Sequence, residues 1–345
     1  MLGGLLPSSP VVAVSMIVVT TGVIWVGSGW LESSAEQLSA HYGLPPVVQG
    51  SIVVAVGSSF PELASVVFTA LAGVFEMGVG GIVGSAIFNI LVIPALAGLA
   101  ATGNIETNRT IVYKEAQFYM IAVAALIITF SLGVIYLPAP NSPELVGQIT
   151  RPLAVIPLLL YGLYLFIQWQ DVSEYTGEVE LNDAIGRQWA LLAGGLLLIL
   201  IGVEQLVGAV EILTDAFGIP EFLAGVIIIA AATSLPDTLV SVRAAREGKG
   251  LTSLGNVLGS NTFDLLVAIP IGVLIIPTGV VSINFAVAVP MLGVLTLATV
   301  LLFAFLRTDL SLTTTEAYAL LVAYGIFVAW VVAETVGVVD LVAAT

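Results

Sequence analysis

The chain has no cysteine, a single histidine (His41) and two lysines (Lys114 and Lys249) among 345 residues. Without cysteine there is no disulfide framework and no thiolate metal site. A lone histidine removes most metallohydrolase chemistry, and Ser–His catalysis survives only if His41 itself serves. The HExxH pattern of an intramembrane metalloprotease is also absent, so no enzyme is expected. Charge is scarce: 9% of residues are charged, against about 25% in a soluble domain. That is too little to cover a water-facing surface, and 59% of the residues are hydrophobic. No basic stretch precedes the apolar run near Pro10, so it reads as a membrane span and not as a cleavable signal.

What charge there is leans acidic. Asp and Glu number 23 against 8 Lys and Arg, for a net charge of −15. This balance disfavours nucleic acid and anionic lipid as partners. Scarce lysine beside plentiful carboxylates points to adaptation to high salt.

Long apolar runs give ten expected spans: 10–31, 44–70, 78–101, 115–137, 152–169, 188–210, 219–246, 251–276, 281–305 and 315–336. The hydrophilic stretch 170–187 carries Asp171, Glu174, Glu178, Glu180 and Asp183 and divides them into two sets of five. It lacks the spacing of a calcium-binding loop and reads as a solvated linker. The halves repeat. A shift of 175 residues lays Pro45 on Pro220, Gly50 on Gly225, Ser59 on Ser234, Pro61 on Pro236, Gly84 on Gly259, Ser85 on Ser260 and Phe88 on Phe263. No gap is needed from Gly43 to Val92. An odd number of spans per half inverts the second half, and inverted repeats mark secondary transporters with a site at the midplane. The expected fold is therefore all-α: two inverted five-helix repeats, 1–169 and 188–345, joined by a cytoplasmic linker. With both termini outside, Arg109, Lys114, Arg187, Arg243, Arg246, Lys249 and Arg307 fall at cytoplasmic loops and only Arg151 falls outside. His41 is expected in the loop between the first two spans.

Two spans carry chemistry. GSIVVAVGSSFPELASVV and GVIIIAAATSLPDTLVSV each set a carboxylate, Glu62 or Asp237, directly after a proline in an apolar run. An ionised carboxylate at the bilayer centre costs on the order of 2.5–3.5 kcal/mol on the insertion scale and persists only with a partner. Neither span offers Lys or Arg at that depth, so a cation is the natural partner. Pro61 frees the carbonyl of Gly57, and Pro236 that of Ala232, because proline has no N–H to give. The hydroxyls of Ser58, Ser59, Thr233 and Ser234 stand beside them. Such oxygen ligands suit Ca2+ or Na+ and not zinc or copper. The following spans, GGIVGSAIFNIL and GNVLGSNTFDLL, place Ser85 with Asn89 and Ser260 with Asp264, four residues apart on one helix face. If Glu62, Asp237 and Asp264 are all ionised, one Ca2+ with one monovalent cation, or three Na+, balances them.

Simpler readings hold elsewhere. Pro94, Pro157 and Pro270 read as kinks. Gly80-xxx-Gly84 and Gly255-xxx-Gly259 read as close helix packing. A passive channel is disfavoured, because channels set acidic rings on a symmetric oligomer axis. H+/Ca2+ exchange through the same carboxylates remains the alternative to Na+/Ca2+ exchange.

The paired motifs resemble the alpha repeats of the cation/calcium exchanger superfamily, G-[ST]-S-x-P-[ED] followed by G-S-[NA]-x-F-[ND]. Several details are most similar to its K+-dependent Na+/Ca2+ exchangers. Glu62 and Asp237 occupy the two carboxylate positions, and Ala86 stands in the first GSA motif. Asp264 holds the position associated there with K+, and RAAREGKG at Arg243–Gly250 is similar to a loop of that branch. The resemblance implies Glu62 and Asp237 as central Ca2+ ligands. It implies that Ser58, Ser59, Thr233, Ser234, Asn89, Ser85 and Ser260, with the carbonyls of Ala55 and Ala230, complete the cation sites. Ser58 in place of Thr, Phe60 in place of a smaller residue and Ala232 in place of Gly depart from the pattern and leave every ligand side chain present. The implied activity is Ca2+ extrusion against Na+ with K+ co-transport. It needs no cofactor and is carried out by a monomeric unit in a prokaryotic plasma membrane.

Overall fold

The computed structural model describes residues 9–43, 55–140, 145–172, 185–336 and 338–339. Among these, eight helices are long and apolar enough to cross a membrane: Pro10–His41, Phe75–Ala100, Ile111–Tyr136, Arg151–Gln170, Ile185–Phe217, Gly250–Ile275, Phe285–Arg307 and Thr314–Thr335. A ninth forms if Glu221–Thr233 and Leu235–Arg246, bent by 46° at their junction, count as one span. The expected span 44–70 is represented by Ala55–Ser58 and Phe60–Ala72, and its beginning lies outside the described residues. The described residues therefore do not by themselves give the expected ten.

Several expected boundaries are corrected. The first helix runs on to His41 instead of ending near residue 31, because Leu31, Ala35 and Leu38 keep an apolar stripe buried among the polar residues. His41 is consequently the last helical residue, edge-on to the Tyr42 ring at 5.2 Å. The sixth helix covers Ile185–Phe217, longer than 188–210 at both ends, and the fifth extends to Val172. Only 173–184 remains of the expected linker, outside the described residues. The first and sixth helices lie along each other, and their backbones touch: a Cβ added at Gly27 would sit 2.9 Å from the Gly195 carbonyl oxygen.

The fold is also not purely helical. Ile105–Glu106 pairs antiparallel with Ser311–Leu312, and Val146–Thr150 with Val280–Asn284. The strand at Val280–Asn284 delays the ninth expected span to Phe285. In Val146–Thr150 burial alternates residue by residue, as one covered sheet face requires. Each small sheet takes one strand from each half, and successive spans reverse direction, so the two sheets lie at opposite ends of the bundle. Ile105 and Val280, which begin strands in different sheets, are again 175 residues apart.

At one of these ends Arg151 donates through Nη2 to the carbonyl of Ile276 at 2.9 Å, and its backbone N–H reaches Gly279 at 3.3 Å. The guanidinium thus caps the helix ending at Ile275, where a cation is favoured. Arg151 is the one basic residue the charge rule leaves outside, and this bond gives it a structural task. Arg151→Met should cost about 1.5–3 kcal/mol, the worth of a charged hydrogen bond, read as a lowered unfolding midpoint in detergent.

Burial sorts the spans. In Phe75–Ala100 and Gly250–Ile275, 83% of the most apolar stretch is buried, against 22% in Arg151–Gln170 and Thr314–Thr335. The two helices with the GS motifs are therefore the bundle's interior, and the others present their outer faces to lipid. Close packing explains how they fit. Added carbons at Gly80 and Gly84 would collide with the backbone of Phe222 and Val226. The partner expected for Gly255 and Gly259 by symmetry, near 46–58, lies largely outside the described residues.

Candidate cation site

Each proline motif breaks its helix in the same way. In the first half Ala55–Ser58 is followed by Ser59 at φ −84°, ψ 5° and then Phe60–Ala72. In the second, Ala230–Thr233 is followed by Ser234 at φ −80°, ψ −5° and then Leu235–Arg246. After the break the ladder resumes identically, with Leu63 N–H on the Ser59 carbonyl (3.0 Å) and Thr238 N–H on Ser234 (3.1 Å). Pro61 and Pro236 sit in the first turn of the new helix, where a missing N–H is tolerated. Glu62 and Asp237 follow in that same turn, at the end of the helix that favours negative charge. The helix segment before each break ends with its carbonyls facing the opposite way, toward positive charge.

The two halves interlock through hydroxyls. Ser58 Oγ meets Ser260 Oγ at 3.0 Å, and Ser85 Oγ meets Ser234 Oγ at 2.7 Å. Each pair joins the proline motif of one half to the GS motif of the other. Ser59 Oγ donates to the Ser260 carbonyl at 3.4 Å, Ser85 Oγ to Glu62 Oε1 at 3.4 Å, and Asn89 Nδ2 to Asp237 Oδ2 at 3.3 Å. Thr233 donates to the Ile229 carbonyl at 3.1 Å and also acts on Glu62. Ser59 and Asp237 are the groups acting on Asp264.

All the expected side chains except that of Ala55 are described, and all of these are buried: Glu62, Asp237, Asp264, Asn89, Ser58, Ser59, Thr233, Ser234, Ser85, Ser260 and Ala230. The Ala230 carbonyl accepts the Ser234 N–H at 3.0 Å and keeps its second lone pair. Ala55 opens its short helix at the edge of the described residues. None of the ion pairs among the described residues involves Glu62, Asp237 or Asp264.

Asn261 belongs to the cluster as well. Its Oδ1 accepts from Asn89 at 3.0 Å, and its Nδ2 donates to the Ala86 carbonyl at 3.2 Å. It stands 175 residues after Ala86, so the repeat hides it: the matching position has no polar side chain. A buried asparagine in an apolar helix is the signal that finds it.

The second half also carries one extra residue here. Asn89-Ile-Leu-Val-Ile-Pro94 becomes Asp264-Leu-Leu-Val-Ala-Ile-Pro270, and Asp264–Ala268 is a wide π-turn closed by the Ile269 N–H on the Asp264 carbonyl. A π-turn is how a helix absorbs an insertion, and such turns gather at functional sites. This one starts at the third carboxylate.

Five buried oxygens of these side chains lack a hydrogen-bond partner: Glu62 Oε2, Asn89 Oδ1, Asp237 Oδ1 and both oxygens of Asp264. All are acceptors. Buried acceptors without donors are costly unless a positive group serves them. No three Asp, Glu or His side chains lie close enough among the described residues to clamp one ion alone. Any cation held here must draw on hydroxyl, amide and carbonyl oxygens too, a mixed set of hard ligands that fits Na+ and Ca2+.

Comparison with known proteins gives a matching picture. The family model described as "Sodium/calcium exchanger protein" matches residues 12–170 and 187–333. The sodium/calcium exchanger MaX1 of Methanosarcina acetivorans is 24% identical over 361 residues, covering 92% of this chain and 98% of its own. Human sodium/potassium/calcium exchanger 5 is 24% identical over 337 residues, 68% of this chain and 64% of its own. A solved structure of the sodium-calcium exchanger NCX_Mj superposes with a TM-score of 0.63 at 23% identity, covering 93% of this chain and 99% of that one. The family match spans both halves and takes in both proline motifs, and the chain belongs to the sodium/calcium exchanger family of membrane cation exchangers.

Proposed function

We propose that the protein exchanges Ca2+ for Na+ by alternating access, with K+ carried alongside Ca2+. The observation that carries this reading is the ring of unpartnered acceptor oxygens on Glu62, Asn89, Asp237 and Asp264, with no cationic side chain to serve them. In it Glu62 and Asp237 are the central Ca2+ ligands. Ser58, Ser59, Thr233, Ser234, Ser85, Ser260 and Asn89, with the carbonyls of Ala55 and Ala230, complete the cation sites. Two inverted five-helix repeats, 1–169 and 188–345, rock about this shared site within one chain. The segment around 173–184 and the Arg243–Lys249 turn face the cytoplasm, and both termini face outward. The second strands of the two sheets support the inversion, since each crosses between halves at opposite ends.

Ca2+ uptake into proteoliposomes tests the reading when Na+, K+ and pH gradients are imposed one at a time. Uptake should follow an outward Na+ gradient, and uptake indifferent to Na+ sinks it. The same orphaned oxygens accept protons equally well, so H+/Ca2+ exchange is the second reading; flux that follows pH and ignores Na+ selects it.

Asp264 is the K+ determinant in this scheme, supported by its place beyond the central pair and by the human relative named for sodium, potassium and calcium. Asp264→Asn should make Ca2+ exchange independent of K+, with the Na+ requirement retained. Exchange that stays equally K+-sensitive removes K+ from the proposal and leaves the rest.

A further inference from the structure

A cavity of about 520 Å3 opens between the helices Pro10–His41 and Leu235–Arg246. Pro236 lines it, so it reaches the residue next to Asp237. Arg243, Glu247 and Lys249 also line it, at the end of the second helix and the turn that follows. There Arg243 Nε and Lys249 Nζ both bind Glu247, at 3.1 and 2.8 Å. Those hydrogen bonds, Lys249's first, hold the Glu247 carboxyl below the usual carboxylate range. The two basic groups are thereby engaged with a carboxylate at the mouth.

Farther in, the wall turns acidic. Glu32 and Glu36, one helical turn apart on Pro10–His41, both face the cavity. Glu32 Oε1 is buried without a hydrogen-bond partner. The charged groups acting on Glu32 are Asp237 and Glu36, both negative. A buried carboxylate facing two others is held against repulsion unless a cation is shared among them. The other half has no such group: the residue 175 positions on is Val207, buried in the core.

We propose that this cavity is the vestibule through which Ca2+ passes between the Arg243–Lys249 face and Asp237, and that Glu32 is a transient cation-binding carboxylate on that path. This deepens the exchange reading and rests on it. The device is one-sided, because Val207 offers no counterpart on the opposite face.

Flux measured with Ca2+ supplied to one face at a time tests it. Glu32→Gln should raise the half-saturating Ca2+ on the Arg243–Lys249 face about tenfold, the scale of charge focusing in a cleft. It should leave the opposite face unchanged, and Glu32→Asp should restore most of the loss. No shift, or an equal shift on both faces, overturns the proposal while wild-type exchange stands. A second measurement needs no transport. The chain has no cysteine, so Leu239→Cys in the cavity wall is a clean reporter for a cationic thiosulfonate reagent. Millimolar Ca2+ should slow its labelling several-fold with Glu32 present and much less in the Glu32→Gln background. Equal protection in both backgrounds overturns the role of Glu32. Absent Na+-driven Ca2+ flux in the wild type fails the exchange reading instead, and the labelling still decides the vestibule.

Discussion

Glu62→Gln should abolish Ca2+ exchange while leaving the folded protein more stable in ion-free buffer. Glu62 is buried at the first turn after the helix break, with Ser85 as the donor to Oε1 and nothing on Oε2. Removing one member of a buried charge pair costs about 3–5 kcal/mol, because the other charge is left uncompensated. Here the uncompensated charge is the bound Ca2+, so the half-saturating concentration should rise by at least about a hundredfold at 1.4 kcal/mol per decade. Without ions the sign reverses. Glutamine keeps the shape, can donate where glutamate cannot, and relieves repulsion from Asp237 and Asp264, the charged neighbours of Glu62. The unfolding midpoint of Glu62→Gln should therefore exceed that of the wild type in chelator and no longer rise when Ca2+ is added. A variant that exchanges Ca2+ at the wild-type rate, or that keeps its Ca2+-dependent shift, contradicts a site centred on this carboxylate.

Gly225→Val should be the most damaging substitution remote from the carboxylates. Gly225 lies where Glu221–Thr233 crosses Phe75–Leu91, and a Cβ there would sit 2.7 Å from the Gly81 nitrogen and 2.9 Å from the Met77 carbonyl carbon. These are backbone atoms of an interior helix and have little room to give. Overpacking a core costs about 1–3 kcal/mol where side chains can shift, so the expected loss is about 3 kcal/mol or more. Gly162→Ala is the control, because nothing lies within 4 Å of its added carbon. In mid-helix that change should gain up to about 1 kcal/mol. Thermal unfolding of the purified variants in detergent checks both. A Gly225→Val protein as stable as the wild type would mean that the helices do not cross this closely.

The proline motifs are legible in sequence because a carboxylate after a proline in an apolar run contradicts its surroundings, and a second copy 175 residues on makes coincidence a poor account. Their local geometry follows directly: Ser59 and Ser234 adopt nearly the same backbone angles. Helix ends are less legible. Hydropathy measures how much chain suits lipid, whereas a helix continues as long as one face finds a partner. The first helix passes through Glu32-Ser33-Ser34-Ala35-Glu36 to His41 because its buried stripe continues beside Ile185–Phe217. The strand Val280–Asn284 reads as the start of a span since Val, Ser and Ile suit either state.

Repetition both reveals and conceals. It brings out residues present twice and passes over those present once. Asn261 is matched by Ala86, and Glu32 by Val207. Ala268 is visible as the step that moves Ile-Pro from 93–94 to 269–270, a shift of 176 instead of 175. Only the π-turn at Asp264–Ala268 gives that step a physical meaning.

The account's central claim is that the carboxylates of both halves form one site for which Na+ and Ca2+ compete. Equilibrium binding of radioactive Ca2+ to the purified protein tests it most directly, in the wild type and in the Glu62→Gln, Asp237→Asn double variant. The account predicts a single Ca2+ bound per chain, displaced by Na+ with a steep, cooperative dependence, and no Ca2+ bound by the double variant. Ca2+ that stays bound to the double variant, or that Na+ at any concentration fails to displace from the wild type, would contradict it.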